Sequence, residues 1–399
     1  MKIAYLTESL PPHKDGVSLT IDKLSDHLAK HDIPGLFISP FEPARGSRFE
    51  KNAIKVLSAT FPLYSAYRLT LPYFQRLSAK LDRFQPDLIH IMSPTLLGLF
   101  GIRYARKRRL PVTTTFHTNF AAYFKYYGFP RFENACWKYL RWFYNRCDEV
   151  YVPTEGMRSE LIDRRIANTT VIPHAVDTSR FSPAYRNRDL RKTVRNGDEA
   201  ILLFVGRLVK EKDLDDLVAA LHMLDKRSLP YKMVFVGNGP YRTTLARELP
   251  DAHFTGFLSG ESLAEWFATA DIFAFPSTTE TFGLVIQEAF ASGLPVVAAD
   301  AGGPKSLVRH GIDGFLVRPN APVRFADTLQ ILIQNDRLRK SMGQAGLKQA
   351  RRMTWDQVHR QLFQRYAALI QRNRQQDPVV HIPWNSPHRK ALAWLSARR

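Results

Sequence analysis

Two glutamates, Glu280 and Glu288, flank a glycine in the segment STTETFGLVIQEAFASG, which spans residues 277–293. A carboxylate accepts hydrogen bonds from the vicinal hydroxyl groups of sugars. An apolar run precedes the segment, and apolar residues recur inside it with helical spacing. We therefore expect a buried strand, a short polar loop and a helix that begins near Gly283. Such a helix start offers unpaired N–H groups and the positive end of the helix dipole, both of which suit a phosphate.

The spacing places the two glutamates on either side of that phosphate-facing turn. Glu280 precedes the helix, whereas Glu288 lies about five residues, or roughly 7–8 Å, along its axis. A diphosphate held at the backbone of Phe282, Gly283 and Leu284 would leave one carboxylate near a sugar and the other near a ribose. Gly283 has no side chain that would block close approach. The same spacing also fits two glutamates that only cap the helix and face solvent, and spacing alone does not separate these alternatives.

The segment from Glu280 to Glu288, followed by AFASGLPVV, resembles the signature of retaining nucleotide-sugar glycosyltransferases of family 4. The resemblance extends over roughly residues 1–370. It implies a GT-B fold and a hexosyltransferase that moves a sugar from a nucleotide-diphosphate donor, such as a UDP- or GDP-sugar, to an acceptor hydroxyl. It also implies retention of the anomeric configuration, with Glu280 positioning the sugar and Glu288 binding the ribose.

The chain has 399 residues, which is enough for two domains with substantial cores. Segments with the pattern of buried strands alternate with helical segments, so we predict an α/β fold of two doubly wound, Rossmann-like parallel sheets that face a cleft. The predicted acceptor-binding domain covers residues 1–185 and is joined by a C-terminal crossover helix at about 355–399. The predicted donor-binding domain covers residues 198–354, and the polar stretch 182–197 is the expected linker.

Two cations follow the predicted strand 200–205 in the sequence GRLVKEK, namely Arg207 and Lys212. Ligands of doubly wound sheets bind beyond the carboxyl ends of the strands. Two cations at that place would neutralise a leaving diphosphate, although an uninvolved surface pair would look the same. The family pattern Gly-Arg-x4-Lys matches here, and the resemblance therefore assigns both cations to the leaving group.

Four further positions come from the resemblance. His117 follows a predicted strand where the family has a histidine against the transferred sugar, and we expect it to hydrogen-bond a sugar hydroxyl rather than act as a base. The family has a Gly-Gly pair that contacts the donor diphosphate. This sequence has Asp15-Gly16 at that place, so the resemblance assigns only Gly16 to the diphosphate. Phe257 and Leu258 lie on the loop that, in the family, holds the nucleotide base through backbone groups.

Asp213 and Asp215 match the DxD pattern of metal-dependent glycosyltransferases. They open a predicted helix directly after Lys212, so helix capping and pairing with the dipole explain them. Nothing else in the sequence offers hard oxygen ligands at the right place. We therefore predict no metal requirement and no cofactor besides the nucleotide-sugar donor. His174 stands where the family usually has asparagine, and the sequence does not explain this departure.

The formal net charge of +20 favours an anionic partner, but it does not choose among nucleic acid, anionic lipid and acidic polysaccharide. Basic clusters occur at residues 103–109 and 388–399. No recognition helix, RNP motif or zinc motif accompanies the charge, so we expect no specific nucleic-acid partner.

Aromatic residues are interleaved with lysines and arginines between residues 116 and 151. Trp137, Leu140 and Tyr144 have helical spacing and are expected in the core. The remainder, mainly residues 123–132, suits a membrane interface or single-stranded nucleic acid. The stretch HTNFAAY resembles lipid-glycosylating members of the family, which implies a lipid acceptor such as diacylglycerol.

The two cysteines, Cys136 and Cys147, follow no metal-binding or CxxC pattern and are expected to stay reduced. The sequence also has no signal-peptide pattern and no apolar run of about 20 residues. We therefore expect a cytoplasmic protein that is peripheral on the inner face of the membrane. Three alternatives remain: a transferase acting on lipopolysaccharide or polysaccharide, a basic nucleic-acid-binding protein, and a GT-B-like epimerase or hydrolase. The donor sugar and base, the linkage and the oligomeric state stay open.

Overall fold

The computed structural model describes residues 1–13, 15–61, 64–71, 74–126, 131–195 and 197–376. Strands and helices alternate in its first half, as the hydrophobic pattern predicts, except between residues 35 and 70, where four strands follow one another. The elements of this half are β1 (Ile3–Leu6), α1 (Gly16–Lys30), β2 (Gly35–Ser39), β3 (Ala53–Lys55), β4 (Ser58–Phe61), β5 (Tyr64–Thr70), α2 (Gln75–Phe84), β6 (Leu88–Ile91), α3 (Leu96–Arg108), β7 (Val112–Thr115), α4 (Phe120–Tyr126), α5 (Arg131–Tyr144), β8 (Glu149–Val152), α6 (Glu155–Asp163) and β9 (Thr169–Val171).

The second half repeats the alternation and ends in three helices. Its elements are α7 (Arg188–Val194), β10 (Ala200–Val205), α8 (Leu214–Lys226), β11 (Tyr231–Val236), α9 (Arg242–Glu248), β12 (His253–Gly256), α10 (Gly260–Thr269), β13 (Ile272–Phe275), α11 (Leu284–Ala291), β14 (Val296–Ala299), α12 (Gly302–Leu307), β15 (Gly314–Val317), α13 (Pro322–Ile333), α14 (Asp336–Ala350) and α15 (Trp355–Gln376).

Two parallel sheets form the centre of the molecule. The first has the order β3-β2-β1-β6-β7-β8-β9 and the second the order β12-β11-β10-β13-β14-β15, while β4 and β5 form a separate antiparallel pair. The strand order reverses between β1 and β6 in one sheet and between β10 and β13 in the other. Ligands of open α/β sheets bind at such switch points. The predicted α/β fold of two doubly wound sheets is confirmed.

The predicted linker is largely helical, which the sequence interpretation missed. A 3-10 turn at Pro183–Tyr185 is followed by α7, whose Leu190 and Val194 pack against the core around the second sheet. Arg191 Nη2 lies 2.6 Å from Asp271 Oδ2. Many charged residues on the exposed face of α7 hid its short apolar face, so the stretch had the composition of a loop. The predicted domain boundaries themselves stay predictions.

Helix α15 crosses back onto the first half, as predicted. Its Leu362, Tyr366 and Ile370 are buried in the same apolar cluster as Ile3 and Tyr5 of β1. The hydroxyl of Tyr366 also lies 2.8 Å from Nδ1 of His90 in β6, a pair of buried groups far apart in sequence. The basic cluster at 388–399 lies outside the described residues. No helix in the described ranges is both long and apolar enough to span a bilayer.

Candidate active site

The helix start predicted at Gly283 is confirmed, and its backbone conformation requires glycine. Gly283 precedes α11 with φ 95° and ψ 63°, in the left-handed region. The first hydrogen bond of the helix runs from the Ile286 N–H to the Gly283 carbonyl, at 2.9 Å. The N–H groups of Leu284 and Val285 precede that bond, and so belong to the set that a helix does not satisfy internally. The positive end of α11 therefore opens at this loop.

The loop before α11 is packed against the start of α12. The Gly303 N–H donates to the Glu280 carbonyl at 2.7 Å. A Cβ at Gly303 would lie 2.2 Å from the Phe282 carbonyl oxygen, so only glycine permits this contact. The glycine pair at residues 302–303 thus supports the backbone that carries Glu280 and Phe282.

Helices α1 and α11 approach each other across the two halves of the chain. A Cβ at Gly16, in the first turn of α1, would lie 3.4 Å from Leu284 Cδ1. Asp15, where the family has a glycine, caps α1 because its Oδ1 accepts from the Ser18 N–H at 2.7 Å. The connections after β1 and after β13 therefore meet. Each follows a strand at one of the two switch points.

Lys212 and Glu280 form an ion pair between the connections that follow β10 and β13. Lys212 is buried, whereas Glu280 remains partly accessible. Arg207 leaves β10 earlier on the same connection, and its Nη2 lies 3.5 Å from Oε1 of the buried Glu211. The structure thus brings Lys212 and Glu280 together beside the helix start. The catalytic roles assigned to these residues stay predictions.

Asp213 does not act as a helix cap, which corrects the reason given for the DxD pattern. It precedes α8 but makes no side-chain capping bond. Its Oδ2 instead accepts from the backbone N–H and the hydroxyl of Thr278, at 2.8 and 2.7 Å. Asp215 accepts from the Tyr241 hydroxyl. The two carboxylates therefore hold different partners.

His117 lies two residues after β7, with its ring next to that of His174. The two rings are nearly parallel, with centroids 5.9 Å apart. The His117 Nε2 atom is buried and has no hydrogen-bond partner among the described residues. The His117 carbonyl accepts from the Thr281 hydroxyl at 2.7 Å, which ties it to the loop before α11. A buried polar atom without a partner is costly, so this nitrogen is available for a hydrogen bond to a ligand. The predicted bond from His117 to a sugar hydroxyl stays a prediction.

His174, which the sequence left unexplained, forms part of the wall behind His117. Its ring meets Phe282 edge-to-face at a centroid distance of 5.1 Å and lies 6.0 Å from the ring of Trp355 in α15. Burial lowers the pKa of His174 to about 4 and holds the pKa of His117 well below its usual range. Both imidazoles are neutral at pH 7, so His117 offers hydrogen bonds rather than charge.

Glu288 is buried on α11, in contrast to the solvated face that spacing left open. Burial raises the pKa of its carboxyl to about 7, and the positive charge of Arg180 partly opposes this. A buried carboxyl close to its pKa at neutral pH suits a site that takes up a hydroxyl-bearing ligand. Its role at the ribose stays a prediction.

Replacing Glu288 with glutamine is expected to stabilise the ligand-free protein at pH 8 but not below pH 4.5. The folded pKa is about 7 against an ordinary value of 4.5, so ionisation opposes folding. The contribution of the Glu288 carboxyl to stability is therefore complete below pH 4.5, where the carboxyl is protonated in both states. It is lost as the pH rises through the folded pKa of about 7. At pH 8 the free energy of unfolding of the wild type should therefore be lower than that of the variant by up to about 3 kcal/mol. Urea unfolding at several pH values measures this difference, and a pH-independent difference would contradict it.

Phe257 and Leu258 follow β12, two strands away from β10 and so about 10 Å across the sheet. The Phe257 side chain is exposed, whereas Leu258 packs against the core around the second sheet. This loop stands at the same edge of the sheet as Arg207 and Lys212, because all strands of that sheet are parallel. Its contact with a nucleotide base stays a prediction.

Tyr126 lies within residues 123–132, which the sequence analysis assigned to a membrane interface or to single-stranded nucleic acid, but its hydroxyl instead connects the two halves of the chain beside the site. Residues 127–130 of that stretch lie outside the described residues. Its hydroxyl donates to Asp213 Oδ1 at 2.8 Å and lies 2.9 Å from the Thr278 hydroxyl. Asp213 follows Lys212, and Thr278 precedes Glu280 by two residues. No local pattern marks this tyrosine, because its partners lie in another domain.

Replacing Tyr126 with phenylalanine is expected to lower kcat/KM for the donor about tenfold, because the variant loses a hydrogen bond to a carboxylate. The matched control is Tyr139→Phe, since the Tyr139 hydroxyl donates at 2.7 Å to the Pro94 carbonyl within the first half alone. Steady-state kinetics of both variants measure the effect. Equal kinetics for the two variants would contradict a role for Tyr126 in holding the site together.

Glu8 is a second residue that the sequence analysis missed. It follows β1 and is buried, and it accepts from the Thr95 hydroxyl at 2.6 Å and the Thr70 hydroxyl at 3.0 Å. Burial raises the pKa of Glu8 to about 7, although these hydrogen bonds oppose the shift. A single glutamate after a strand carries no sequence signal for this environment.

Comparison with known proteins identifies the family. The model for glycosyl transferases group 1 matches residues 186–349, and the model for glycosyltransferase family 4 matches residues 14–180. A GDP-mannose-dependent alpha-mannosyltransferase of Mycobacterium tuberculosis is 34% identical over 322 residues, which is 79% of this chain and 84% of that protein. The chain is a family 4 glycosyltransferase.

Further comparisons agree with this family and with the GT-B fold. The glycosyltransferase is 29% identical to an alpha-monoglucosyldiacylglycerol synthase of Streptococcus pneumoniae, over 75% of this chain and 71% of that protein. The crystal structure of Anabaena HepE in complex with UDP superposes with a TM-score of 0.73 at 20% identity, covering 92% of this chain and all of that one. The predicted resemblance and the predicted enzyme class are both confirmed.

Proposed function

We propose that this glycosyltransferase moves a hexose from a nucleotide-diphosphate donor to a hydroxyl of a membrane lipid, with retention of the anomeric configuration. The observation that carries the proposal is the meeting of the two switch points. The start of α11, the Lys212–Glu280 ion pair and the first turn of α1 surround one place between the sheets. Backbone amides and cations converge there, which is what a diphosphate leaving group requires.

In the proposed step, the bond between the anomeric carbon and the β-phosphate oxygen breaks. Arg207, Lys212 and the amides around Gly283 take up the charge that develops on the phosphate. The acceptor oxygen bonds to the same face of the anomeric carbon, and its proton passes to a phosphate oxygen of the departing nucleotide. Glu280 and His117 position the sugar through its hydroxyl groups, while Glu288 binds the ribose.

We propose that the transfer needs no bound metal, since two cations already face the leaving group. Asp213 and Asp215, which match the metal-binding pattern, are hydrogen-bonded to separate protein groups. Chelation with EDTA is therefore expected to leave kcat/KM unchanged. Loss of activity on chelation, with recovery on adding Mg²⁺ or Mn²⁺, would overturn this part of the proposal.

GDP-mannose is the donor we propose to test first. The mycobacterial relative is named as GDP-mannose-dependent and is similar over most of this chain. The family resemblance implies that the loop with Phe257 and Leu258 holds the base through backbone groups, and such contacts do not by themselves distinguish guanine from uracil. A UDP-hexose is therefore the second donor in the test.

The lipid acceptor is supported by a basic and aromatic surface on the first half of the chain. Arg103, Arg106, Lys107 and Arg109 are exposed at the C-terminal end of α3, whereas Arg108 is half-buried and pairs with Asp82. Phe132 and Trp142 of α5 are exposed, and the Arg146 guanidinium lies 3.9 Å from the Trp142 ring centroid. Cations next to exposed aromatic rings suit an anionic lipid surface. The streptococcal relative is named an alpha-monoglucosyldiacylglycerol synthase. We propose peripheral binding to the inner face of the cell membrane.

A thermal-shift panel of UDP-, GDP- and ADP-sugars tests the donor, and product analysis with diacylglycerol then tests the acceptor. A donor at about 100 times its Kd stabilises the folded protein by about 2.7 kcal/mol, which is several degrees in Tm. We expect GDP-mannose to give the largest shift and a glycolipid as the product. No shift with any sugar nucleotide would overturn the proposal.

The remaining alternatives give different results in the same assays. Co-sedimentation with anionic liposomes is expected, and its absence would favour a soluble or polysaccharide acceptor. Release of free sugar without any acceptor would indicate a hydrolase, and conversion of the donor sugar would indicate an epimerase.

A further inference from the structure

A histidine in the last turn of α1, a second histidine at the C-cap of α1 and an aspartate in α15 converge away from the cleft. His27 and His31 are four residues apart, and Asp356 lies in the first turn of the crossover helix. The His27 Nδ1 atom lies 3.7 Å from Asp356 Oδ1, and the His31 Nε2 atom lies 3.9 Å from the same oxygen. The potential ligand atoms of all three residues lie within 4.8 Å of one another. No other cluster of this kind occurs in the described ranges.

These distances are close to those of a tetrahedral zinc site. With Zn–N and Zn–O bonds of about 2.0–2.1 Å, neighbouring ligand atoms in a tetrahedron are about 3.3 Å apart. The two histidine-to-aspartate distances would have to shorten by only about half an ångström, and the distance between the two histidine nitrogens, which is at most 4.8 Å, by up to about 1.5 Å. Rotation of the exposed His31 side chain would supply this change. The four-residue spacing of His27 and His31 is also that of a recurrent zinc-binding pair. Imidazole and carboxylate ligands together suit Zn²⁺ among the divalent ions.

We propose that His27, His31 and Asp356 bind one Zn²⁺ ion, with water in the fourth position, and that the ion ties the crossover helix α15 to α1. This goes beyond the proposed transfer reaction and is independent of it. His27 lies about 16 Å along the α1 axis from Gly16, so the ion would be remote from the donor phosphates. Its effect would be on the attachment of α15, the helix that returns from the donor-binding half to the first sheet.

The surroundings of His27 hold one ligand in place before any ion binds. The His27 ring is buried and packs against His359 and Phe363 of α15, with centroid distances of 5.0 and 5.1 Å. A ligand whose orientation is fixed by packing loses little conformational entropy on binding. His31 is more exposed, and its ring lies 4.3 Å from that of His27.

Two cations compete for Asp356 in the ligand-free protein. Lys30 Nζ lies 3.4 Å from Asp356 Oδ1, and the Arg360 Nη2 donates to Oδ2 at 3.0 Å. Both side chains are about two-thirds exposed, at 66% and 67%, so they can turn to solvent when an ion takes their place. Their charges oppose a divalent ion. Removing Lys30 should therefore strengthen zinc binding, whereas a merely structural ion pair would only lose stability.

Equilibrium dialysis of the full chain against ZnCl₂, without a polyhistidine tag, tests the proposal. We expect one Zn²⁺ per chain in the wild type, and visible d–d absorption of tetrahedral Co²⁺ when cobalt replaces zinc. His31→Gln and Asp356→Asn should each weaken binding by at least about tenfold. Lys30→Gln should strengthen it severalfold. His222→Gln is the matched control, because this exposed histidine also lies 4.0 Å from carboxylates of Asp225 and Glu248.

A thermal readout separates binding at this site from general metal uptake. Zn²⁺ should raise the Tm of the wild type and of His222→Gln, but not that of His31→Gln. His31 is an exposed side chain, so this variant is expected to fold, and its circular dichroism spectrum checks that. The proposal is overturned if the wild type takes up no Zn²⁺, or if His31→Gln binds Zn²⁺ as tightly as the control.

Discussion

Replacing Lys212 with alanine is expected to lower kcat by about a hundred- to a thousandfold. The buried ammonium of Lys212 lies beside the start of α11, where the proposed diphosphate leaves. Removing one preorganised donor from a developing oxyanion typically has an effect of this size. The interaction strengthens as the phosphate gains charge, so the loss should fall mainly on kcat rather than on KM for the donor. Steady-state kinetics with varied donor concentrations measure both constants.

The matched control is Lys210→Ala, because Lys210 is an exposed lysine in the same 3-10 turn. It should retain wild-type kinetics within about a factor of two. Lys212→Ala also leaves Glu280 without its ion-pair partner, so Glu280→Gln and the double variant complete a cycle that isolates the lysine. If the Lys212→Ala variant folds normally and has the kcat of the wild type, Lys212 does not stabilise the leaving group.

Replacing Glu288 with alanine is expected to raise KM for the donor about ten- to a hundredfold. Hydrogen bonds to a carboxylate contribute about 1.5–3 kcal/mol, and Glu288 is proposed to bind the ribose through such bonds. The ribose does not change during the transfer, so its binding is uniform between the ground state and the transition state. The effect should therefore fall on KM with little change in kcat.

Glu288→Gln keeps one acceptor oxygen and should raise KM less than the alanine variant. Glu248→Gln is the control for loss of a carboxylate in the donor-binding half, because Glu248 lies exposed at the end of α9. Isothermal titration with the nucleoside diphosphate alone checks whether the change lies in binding. Unaltered affinity in Glu288→Ala would exclude this residue from the ribose site, whatever its effect on stability.

Much of the site was predictable because it is encoded by neighbouring residues. The turn at Gly283, the helix after it and the cations after β10 each depend on a few consecutive side chains. Local hydrophobic periods and a glycine at a helix start are sufficient for such predictions. Where composition misled, as in the predicted linker that contains α7, polar residues on an exposed helix face concealed its short apolar side.

Other features of the site depend on pairs of residues that are distant in sequence. Lys212 and Glu280 are 68 residues apart, and the Tyr126 hydroxyl bonds to Asp213, 87 residues away. The stacked rings of His117 and His174, and the burial that raises the pKa of Glu288, have no counterpart in a local pattern. The capping role expected of Asp213 was wrong for the same reason, because its carboxylate accepts a hydrogen bond from Thr278, which lies on another connection.

The sequence by itself determined the succession of strands and helices apart from α7, the two-sheet α/β class, the family and the residue types available for phosphate binding. These follow from patterns repeated over a few residues, which no long-range contact overrides here. Only the tertiary structure decided which connections meet, which carboxylates are buried and which nitrogen is left without a partner. Those properties arise from the order of strands in each sheet and from the packing of the two halves, and both depend on contacts between segments far apart in the chain.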